Sequence, residues 1–100
     1  GTAWFMAPEV ARGGTLLPAA DIWSFGITML MLDLGRLPFA RLEGVANSPT
    51  NFMSALANGE FKFNFKREAL CPAVQIIADK CLILDERSRA SASNLLAMVS

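Results

Sequence analysis

Residues 21–34 read DIWSFGITMLMLDL, and the rest of the predicted architecture is built around them. Its apolar side chains fall on nearly every face of a helix, and Gly35 follows as a natural helix end. Asp21 stands near the start, where a carboxylate can accept backbone N–H bonds and meet the positive end of the helix dipole. A helix that is apolar all round has to be enclosed by other elements. The pattern therefore predicts a buried central helix over Asp21–Leu34.

Shorter helices and loops are predicted around this central helix. Prolines at first helical positions and apolar stripes mark the helices, and Ser48 and Ser91 can cap two of them. Residues 1–20 are rich in breakers and predict an irregular segment, and residues 40–47 predict a loop. The shorter helices are expected at Pro8–Arg12, Pro49–Asn58, Pro72 to about Leu84, and after Ser91. The predicted fold class is mainly α.

Alternating phenylalanines at 61, 63 and 65 would by periodicity alone predict a strand. No second stretch of comparable quality is available to pair with it, and an unpaired strand leaves its backbone hydrogen bonds unmade. We therefore predict an extended loop over these residues.

The composition suggests a piece of a larger domain. Apolar residues make up 53% of the chain before glycine is counted, whereas about 45–50% is usual for a set that includes glycine. Part of this apolar surface is expected to face a neighbour. The chain also opens with Gly1 and not with Met, so we interpret it as an excerpt.

Charge, cysteine and hydropathy patterns exclude several classes of function. Nine basic and nine acidic residues balance without a basic cluster, which argues against a nucleic-acid partner. The apolar run Ile22–Leu32 is far shorter than the ~20 residues that a membrane helix needs, and no signal peptide precedes it. Cys71 and Cys81 lack metal-site spacing and the chain has no His. Buried, reduced thiols in a cytoplasmic protein are the expectation.

Catalytic constellations are absent from the sequence. It has no His, no glycine-rich phosphate cradle and no obvious carboxylate pair. The segment by itself predicts no catalytic, cofactor-binding or metal-binding residue.

Four separated motifs carry a family resemblance. Residues 1–9 read GTAWFMAPE, residues 21–26 read DIWSFG, and residues 37–39 read LPF. The fourth runs from Cys81-Leu82 through Asp85 and Arg89 to Ser91-Ala92 and Leu95-Leu96. Together, in this order and spacing, they resemble the C-terminal part of the large lobe of the eukaryotic protein kinase domain, from the end of the activation segment to the last helix. The resemblance covers residues 1–100 and implies a helical C-lobe fragment of the kinase fold.

The resemblance implies an ion pair between Glu9 and Arg89. An Arg fork can hold a carboxylate in bidentate fashion, and removing one partner of a buried pair costs about 3–5 kcal/mol. Arg87 is the alternative partner. Glu86 and Ala90 stand where the family usually has proline, which makes the loop less rigid and leaves the pair possible.

The resemblance also implies two further roles. Asp21 would reach the backbone of the upstream catalytic loop, and helix capping is the alternative role, compatible with the first. Gly1, Thr2 and Ala3 would form the substrate-binding loop that receives the residue after the phosphorylated position. Without the flanking motifs, Thr2 would be an ordinary turn threonine.

For the parent protein, the resemblance implies transfer of the ATP γ-phosphoryl group to protein Ser or Thr, with Mg²⁺ as the metal. Gly1-Thr2 favours Ser/Thr over Tyr substrates, and residues 4–6 resemble kinases of MAP-kinase cascades. The expected partners are a protein substrate and the remainder of the kinase domain, without nucleic acid or membrane. The segment alone would be inactive. A pseudokinase scaffold and an unrelated all-helical interaction module are the alternatives.

Overall fold

Five α-helices organise the part of the chain that this computed structural model describes, residues 3–39 and 49–99. A short 3-10 turn, Ala3–Phe5, precedes the first of them, and two more, Arg67–Ala69 and Glu86–Ser88, lie between later helices. The predicted loop over residues 40–47 and its Ser48 cap lie outside the described residues. The helices are α1 (Pro8–Ala11), α2 (Pro18–Leu34), α3 (Pro49–Ala57), α4 (Pro72–Cys81) and α5 (Ala92–Val99).

Helix α2 begins three residues before Asp21, where the sequence placed its start. Leu17 is the extended N-cap residue and Pro18 occupies the first helical position, for which its fixed φ suits it. Asp21 consequently lies in the first turn of the helix and not at its cap. The helix ends as predicted, because Gly35 adopts a φ of 74° and donates its N–H to the Met31 carbonyl.

One face of α2 is buried and the opposite face is open. Trp23, Ile27 and Leu30 are fully buried, whereas Phe25 is 42% exposed and Leu32 is 69% exposed. The sequence predicted that α2 is enclosed on every side. Among the described residues, only one face of α2 is enclosed. Phe25 and Leu32 therefore leave much of their apolar surface uncovered by the described residues.

Helices α2 and α4 approach each other closely at Gly26. A Cβ atom at Gly26 would lie 2.8 Å from Cys81 Cβ and 2.9 Å from Leu82 Cδ2. Only glycine leaves room for this backbone approach. The contact positions α4 against the middle of the central helix.

Aromatic rings form a second part of the core, between α2, α3 and the extended segment after α3. Phe39 lies 4.8 Å from Phe52 and 5.4 Å from Phe63 between ring centroids, and Trp23 lies 6.1 Å from Phe61. Such spacings are typical of interacting aromatic pairs. The rings attach the extended segment to α2 and α3.

The extended loop predicted over residues 61–65 is confirmed. Phe63 forms one isolated antiparallel bridge with Phe39, and Asn64 donates its N–H to the Pro38 carbonyl at 2.7 Å. These contacts do not extend into a ladder, and the described residues contain no strand.

Helix ends and one cysteine differ from the sequence prediction. Helix α4 ends at Cys81 and not near Leu84, since the chain turns there toward the 3-10 turn Glu86–Ser88. Cys71 is exposed while Cys81 is buried, so the prediction that both thiols are buried was wrong for Cys71. Cys71 lies at the surface because it is the residue that enters α4.

Helix α5 has the predicted cap. Asn94 donates its backbone N–H to Ser91 Oγ at 3.1 Å, which satisfies one of the free donors of the first turn. In the described parts of the chain, no helix is both long enough and apolar enough to cross a bilayer.

Candidate functional site

Glu9 is positioned by the short helix α1 and the glycine pair that follows it. Pro8 starts the helix and Glu9 lies in its first turn. Gly14 donates its N–H to the Glu9 carbonyl at 2.9 Å, and a Cβ atom at Gly14 would lie only 2.6 Å from that oxygen. Glycine at position 14 therefore lets the chain turn tightly around the backbone of Glu9.

Arg89 follows a 3-10 turn that Asp85 stabilises. The Asp85 carboxylate accepts hydrogen bonds from the Arg87 backbone N–H at 3.1 Å and from Ser88 Oγ at 3.3 Å. Ala90 then donates its N–H to the Lys80 carbonyl at 2.9 Å. These bonds define the loop although two usual proline positions hold other residues.

The structure brings Glu9 and Arg89 together as a two-bond fork. Arg89 Nη1 donates to Glu9 Oε2 and Arg89 Nη2 donates to Glu9 Oε1, each at 2.7 Å. The Arg89 side chain is 0% exposed and the Glu9 side chain 13%. Charge-assisted bidentate pairs of this length are among the strong polar contacts in proteins.

The remaining N–H groups of Arg89 bind backbone carbonyl oxygens. Nε donates to Ile83 at 2.8 Å, Nη1 also donates to Ala19 at 3.0 Å, and Nη2 reaches Leu84 at 3.5 Å. All five N–H donors of the guanidinium group thus have acceptors. Arg89 consequently joins α1, the start of α2 and the loop after α4 through one side chain.

An aromatic ring lies against the same guanidinium group. The Arg89 guanidinium carbon lies 5.1 Å from the centroid of the Trp23 ring, within the range of a cation–π contact. Trp23 is fully buried, and its Nε1 has no acceptor among the described residues. The sequence indicated only core packing for Trp23, because a contact with Arg89 across 66 positions leaves no local pattern.

The fork also sets the charge state of Glu9. Burial raises the pKa of Glu9. The hydrogen bonds from Arg89 and from the backbone, together with the nearby positive charges, lower this pKa by more than burial raises it. The pKa therefore falls below its ordinary value of 4.5. Glu9 carries its negative charge at neutral pH.

The alternative partner, Arg87, is exposed and contributes a backbone N–H to Asp85. Arg89, two positions later, is buried instead, because it follows the turn and its side chain points back toward α1 and α2.

The other predicted site residues fall in three places. Asp21 is exposed, borders the cavity formed with Phe5, Met6 and Ser24, and makes no side-chain hydrogen bond to another described residue. Ala3 begins the first 3-10 turn. Gly1 and Thr2 lie outside the described residues. The structure does not join Asp21 to the Glu9–Arg89 fork.

Sequence reasoning missed Ser24. Its Oγ donates to the Phe5 carbonyl at 2.6 Å and lies 3.2 Å from the Ala20 carbonyl. The hydroxyl group therefore links the central helix to the turn Ala3–Phe5. A serine between the large apolar residues Trp23 and Phe25 is the signal that could have identified it.

The Glu9–Arg89 fork holds separate segments of the chain together. No three His, Cys, Asp or Glu side chains in the described ranges are grouped so that they could hold a metal ion.

Comparisons with known proteins agree on one family. Residues 1–99 match the family described as protein kinase domain. The MAP kinase kinase kinase SSK2 of Saccharomyces cerevisiae is 34% identical over 96% of this chain and 6% of its own length. The MAP kinase kinase skh1/pek1 of Schizosaccharomyces pombe is 36% identical over 58% of this chain and 16% of its own length.

A solved structure has the same fold. The twitchin kinase region from C. elegans aligns with a TM-score of 0.75 at 24% identity and covers 96% of this chain and 16% of that one. The helical arrangement expected from the four motifs is therefore confirmed. The chain spans only 6–16% of the length of the three proteins named here.

Proposed function

The chain belongs to the protein kinase domain family, and from this membership we propose that it is part of an active serine/threonine kinase. The parent protein would transfer the γ-phosphoryl group of ATP to Ser or Thr of a protein substrate. The observation that carries the proposal is the family match over residues 1–99 together with relatives named as serine/threonine or MAP-kinase-cascade kinases. Family membership sets aside an unrelated helical interaction module.

In this proposal, the Glu9–Arg89 fork fixes the end of the activation segment to the helical base of the lobe. Arg89 binds Glu9 on one side and the carbonyls of Ala19 and Ile83 on the other. A displacement of α1 would leave a buried guanidinium group without its counter-charge, which is costly. The fork would thus hold α1, which follows the proposed substrate-binding residues Gly1, Thr2 and Ala3 in the chain, at a constant distance from α2.

Asp21 is proposed as the anchor of the upstream catalytic loop. Its exposed carboxylate borders an open cavity lined by Phe5, Met6 and Ala7. A carboxylate in this position can accept backbone N–H bonds from a segment that enters the cavity. The lack of a side-chain hydrogen bond to another described residue supports this role over local capping.

The remainder of the kinase domain is the proposed neighbour of the open apolar face. A groove of about 410 Å³ between α2, α4 and α5 is lined by Ile22, Phe25, Ile77, Leu95 and Leu96. Large apolar side chains here stay exposed, with Phe25 at 42% and Leu96 at 68%. Burial of this face would supply the enclosure of α2 that the sequence predicted.

ATP and Mg²⁺ are proposed to bind the remainder of the domain, and the segment alone to be inactive. A reducing, cytoplasmic location is part of the proposal, and the two free thiols Cys71 and Cys81 support it.

Phosphoamino-acid analysis of a protein substrate tests the proposal. The full-length protein, incubated with Mg²⁺-ATP, is expected to yield phosphoserine or phosphothreonine, while the 100-residue segment yields neither. A folded full-length protein that transfers no phosphate to any of several protein substrates would favour a pseudokinase scaffold. Phosphotyrosine as the main product would contradict the Ser/Thr assignment.

A further inference from the structure

Two carbonyl oxygens lie within hydrogen-bond distance of the Ser24 hydroxyl group. Phe5 O lies 2.6 Å from Oγ and Ala20 O lies 3.2 Å from it. A serine hydroxyl carries one proton, and the shorter distance identifies Phe5 as its main acceptor. The bond to Ala20, one helical turn earlier, is the common local bond of a serine inside a helix.

The bond to Phe5 reaches the segment that follows the substrate-binding residues. Phe5 ends the turn Ala3–Phe5, directly after Gly1-Thr2 in the chain. Apolar contacts also attach this turn, since the Trp4 ring packs on Phe52 at 4.8 Å. Apolar contact is non-directional, whereas a hydrogen bond fixes orientation. Ser24 therefore supplies a directional contact between the turn and α2.

We propose that Ser24 is a positioning residue for the protein substrate, which it serves by orienting the turn Ala3–Phe5, whose first residue is one of the proposed substrate-binding residues. This inference rests on the proposed kinase function. Ser24 makes no contact with reacting groups, so its effect falls on recognition of the protein substrate and not on ATP binding.

The Ala20 carbonyl oxygen is an alternative acceptor for the Ser24 hydroxyl group. When the turn moves away, Ser24 can donate to Ala20 and remains satisfied, so only the Phe5 carbonyl loses its partner. Movement of the turn is therefore less costly than it would be for a donor without an alternative. Ser24 orients the turn without locking it.

Steady-state kinetics of the full-length kinase test the inference. Ser24→Ala is expected to raise the KM for a peptide substrate by about three- to tenfold, the range that loss of one neutral hydrogen bond produces. The KM for ATP is expected to stay unchanged. Ser24→Thr keeps the hydroxyl group, so its KM for the peptide is expected to stay close to the wild-type value. If Ser24→Ala shows no cooperative melting transition, Ser24→Cys replaces it, because a thiol is a weak donor of similar size.

Thr28→Val is the matched control. Thr28 Oγ1 donates to the Ser24 carbonyl at 2.9 Å within the same helix, so the variant removes a hydroxyl group from α2 without touching the turn. It should leave both KM values unchanged. An active wild type whose Ser24→Ala variant keeps its peptide KM, or loses kcat and ATP affinity equally, would overturn the inference alone. A wild type without kinase activity would overturn the proposed function and this inference together.

Discussion

The guanidinium carbon of Arg89 lies 5.1 Å from the centroid of the buried Trp23 ring. The ring covers the charged group while five oxygen contacts occupy its edge. A planar cation with donors around its rim suits this environment, and a compact ammonium group does not. The identity of residue 89 as arginine, and not only its charge, is therefore essential for the site.

Replacing Arg89 by lysine tests that requirement. Arg89→Lys keeps the positive charge but has three donors on one nitrogen, so carbonyls at Ala19 and Ile83 lose their partners. We expect the free energy of unfolding of the full-length protein's kinase domain to fall by about 2–4 kcal/mol. Denaturant unfolding measures it. Arg87→Lys, at an exposed position, is the control and should change stability by less than about 0.5 kcal/mol; equal effects of the two variants would contradict the role of the fork.

The loss of stability of the folded protein at acidic pH should depend on Glu9. Its pKa is lowered in the folded protein, so the charged carboxylate stabilises the fold at pH values above its unfolded pKa. That contribution is lost as the pH falls below the ordinary value of 4.5 and through the lower folded pKa. Melting temperatures of wild type and Glu9→Gln should differ at neutral pH and converge toward about pH 3. A difference that grows on acidification would refute this assignment of charge.

The effect of a side chain at position 26 on stability can be measured. Alanine would normally stabilise a helix interior by roughly 1 kcal/mol over glycine. Here the new Cβ would lie 2.8 Å from Cys81 Cβ, which belongs to the neighbouring helix and cannot rotate away. Gly26→Ala is therefore expected to destabilise the kinase domain by about 1–3 kcal/mol. A higher melting temperature for the variant would contradict the close packing of α2 against α4 at this position.

The two cysteines should differ in reactivity. Burial raises the pKa of Cys81 to about 11, only partly offset by the positive charge of Arg89, whereas Cys71 is exposed. Only the thiolate reacts with alkylating reagents. Iodoacetamide treatment of the native full-length protein, followed by peptide mass mapping, should label Cys71 well before Cys81. Denaturation should equalise the two, and rapid native labelling of Cys81 would contradict its burial.

Part of this structure follows from the sequence for identifiable physical reasons. Gly35 ends α2 because a left-handed residue is needed there, and Ser91 caps α5 because its oxygen can accept from Asn94. The partnership of Glu9 with Arg89 was accessible only through the family resemblance, since the two lie 80 positions apart.

Other features carry no residue-level signature. The carbonyl acceptors of Arg89 at Ala19, Ile83 and Leu84 belong to the backbone, which every residue has. The true start of α2 at Pro18 was missed because Asp21 is the stronger capping residue by type. The open face of α2 could not be predicted, because an apolar pattern does not state which neighbour covers it.

The role of the fork is tested by the rate at which the full-length protein phosphorylates a Ser/Thr protein substrate when the fork is broken. Arg89→Ala strands the Glu9 carboxylate and frees α1, while Arg87→Ala removes an exposed arginine two positions away. We predict that wild type and Arg87→Ala are comparably active and that Arg89→Ala loses at least about tenfold in kcat/KM, as expected for roughly 1.4 kcal/mol or more of lost stabilisation. Full activity of a folded Arg89→Ala protein, or no activity in the wild type, would contradict it.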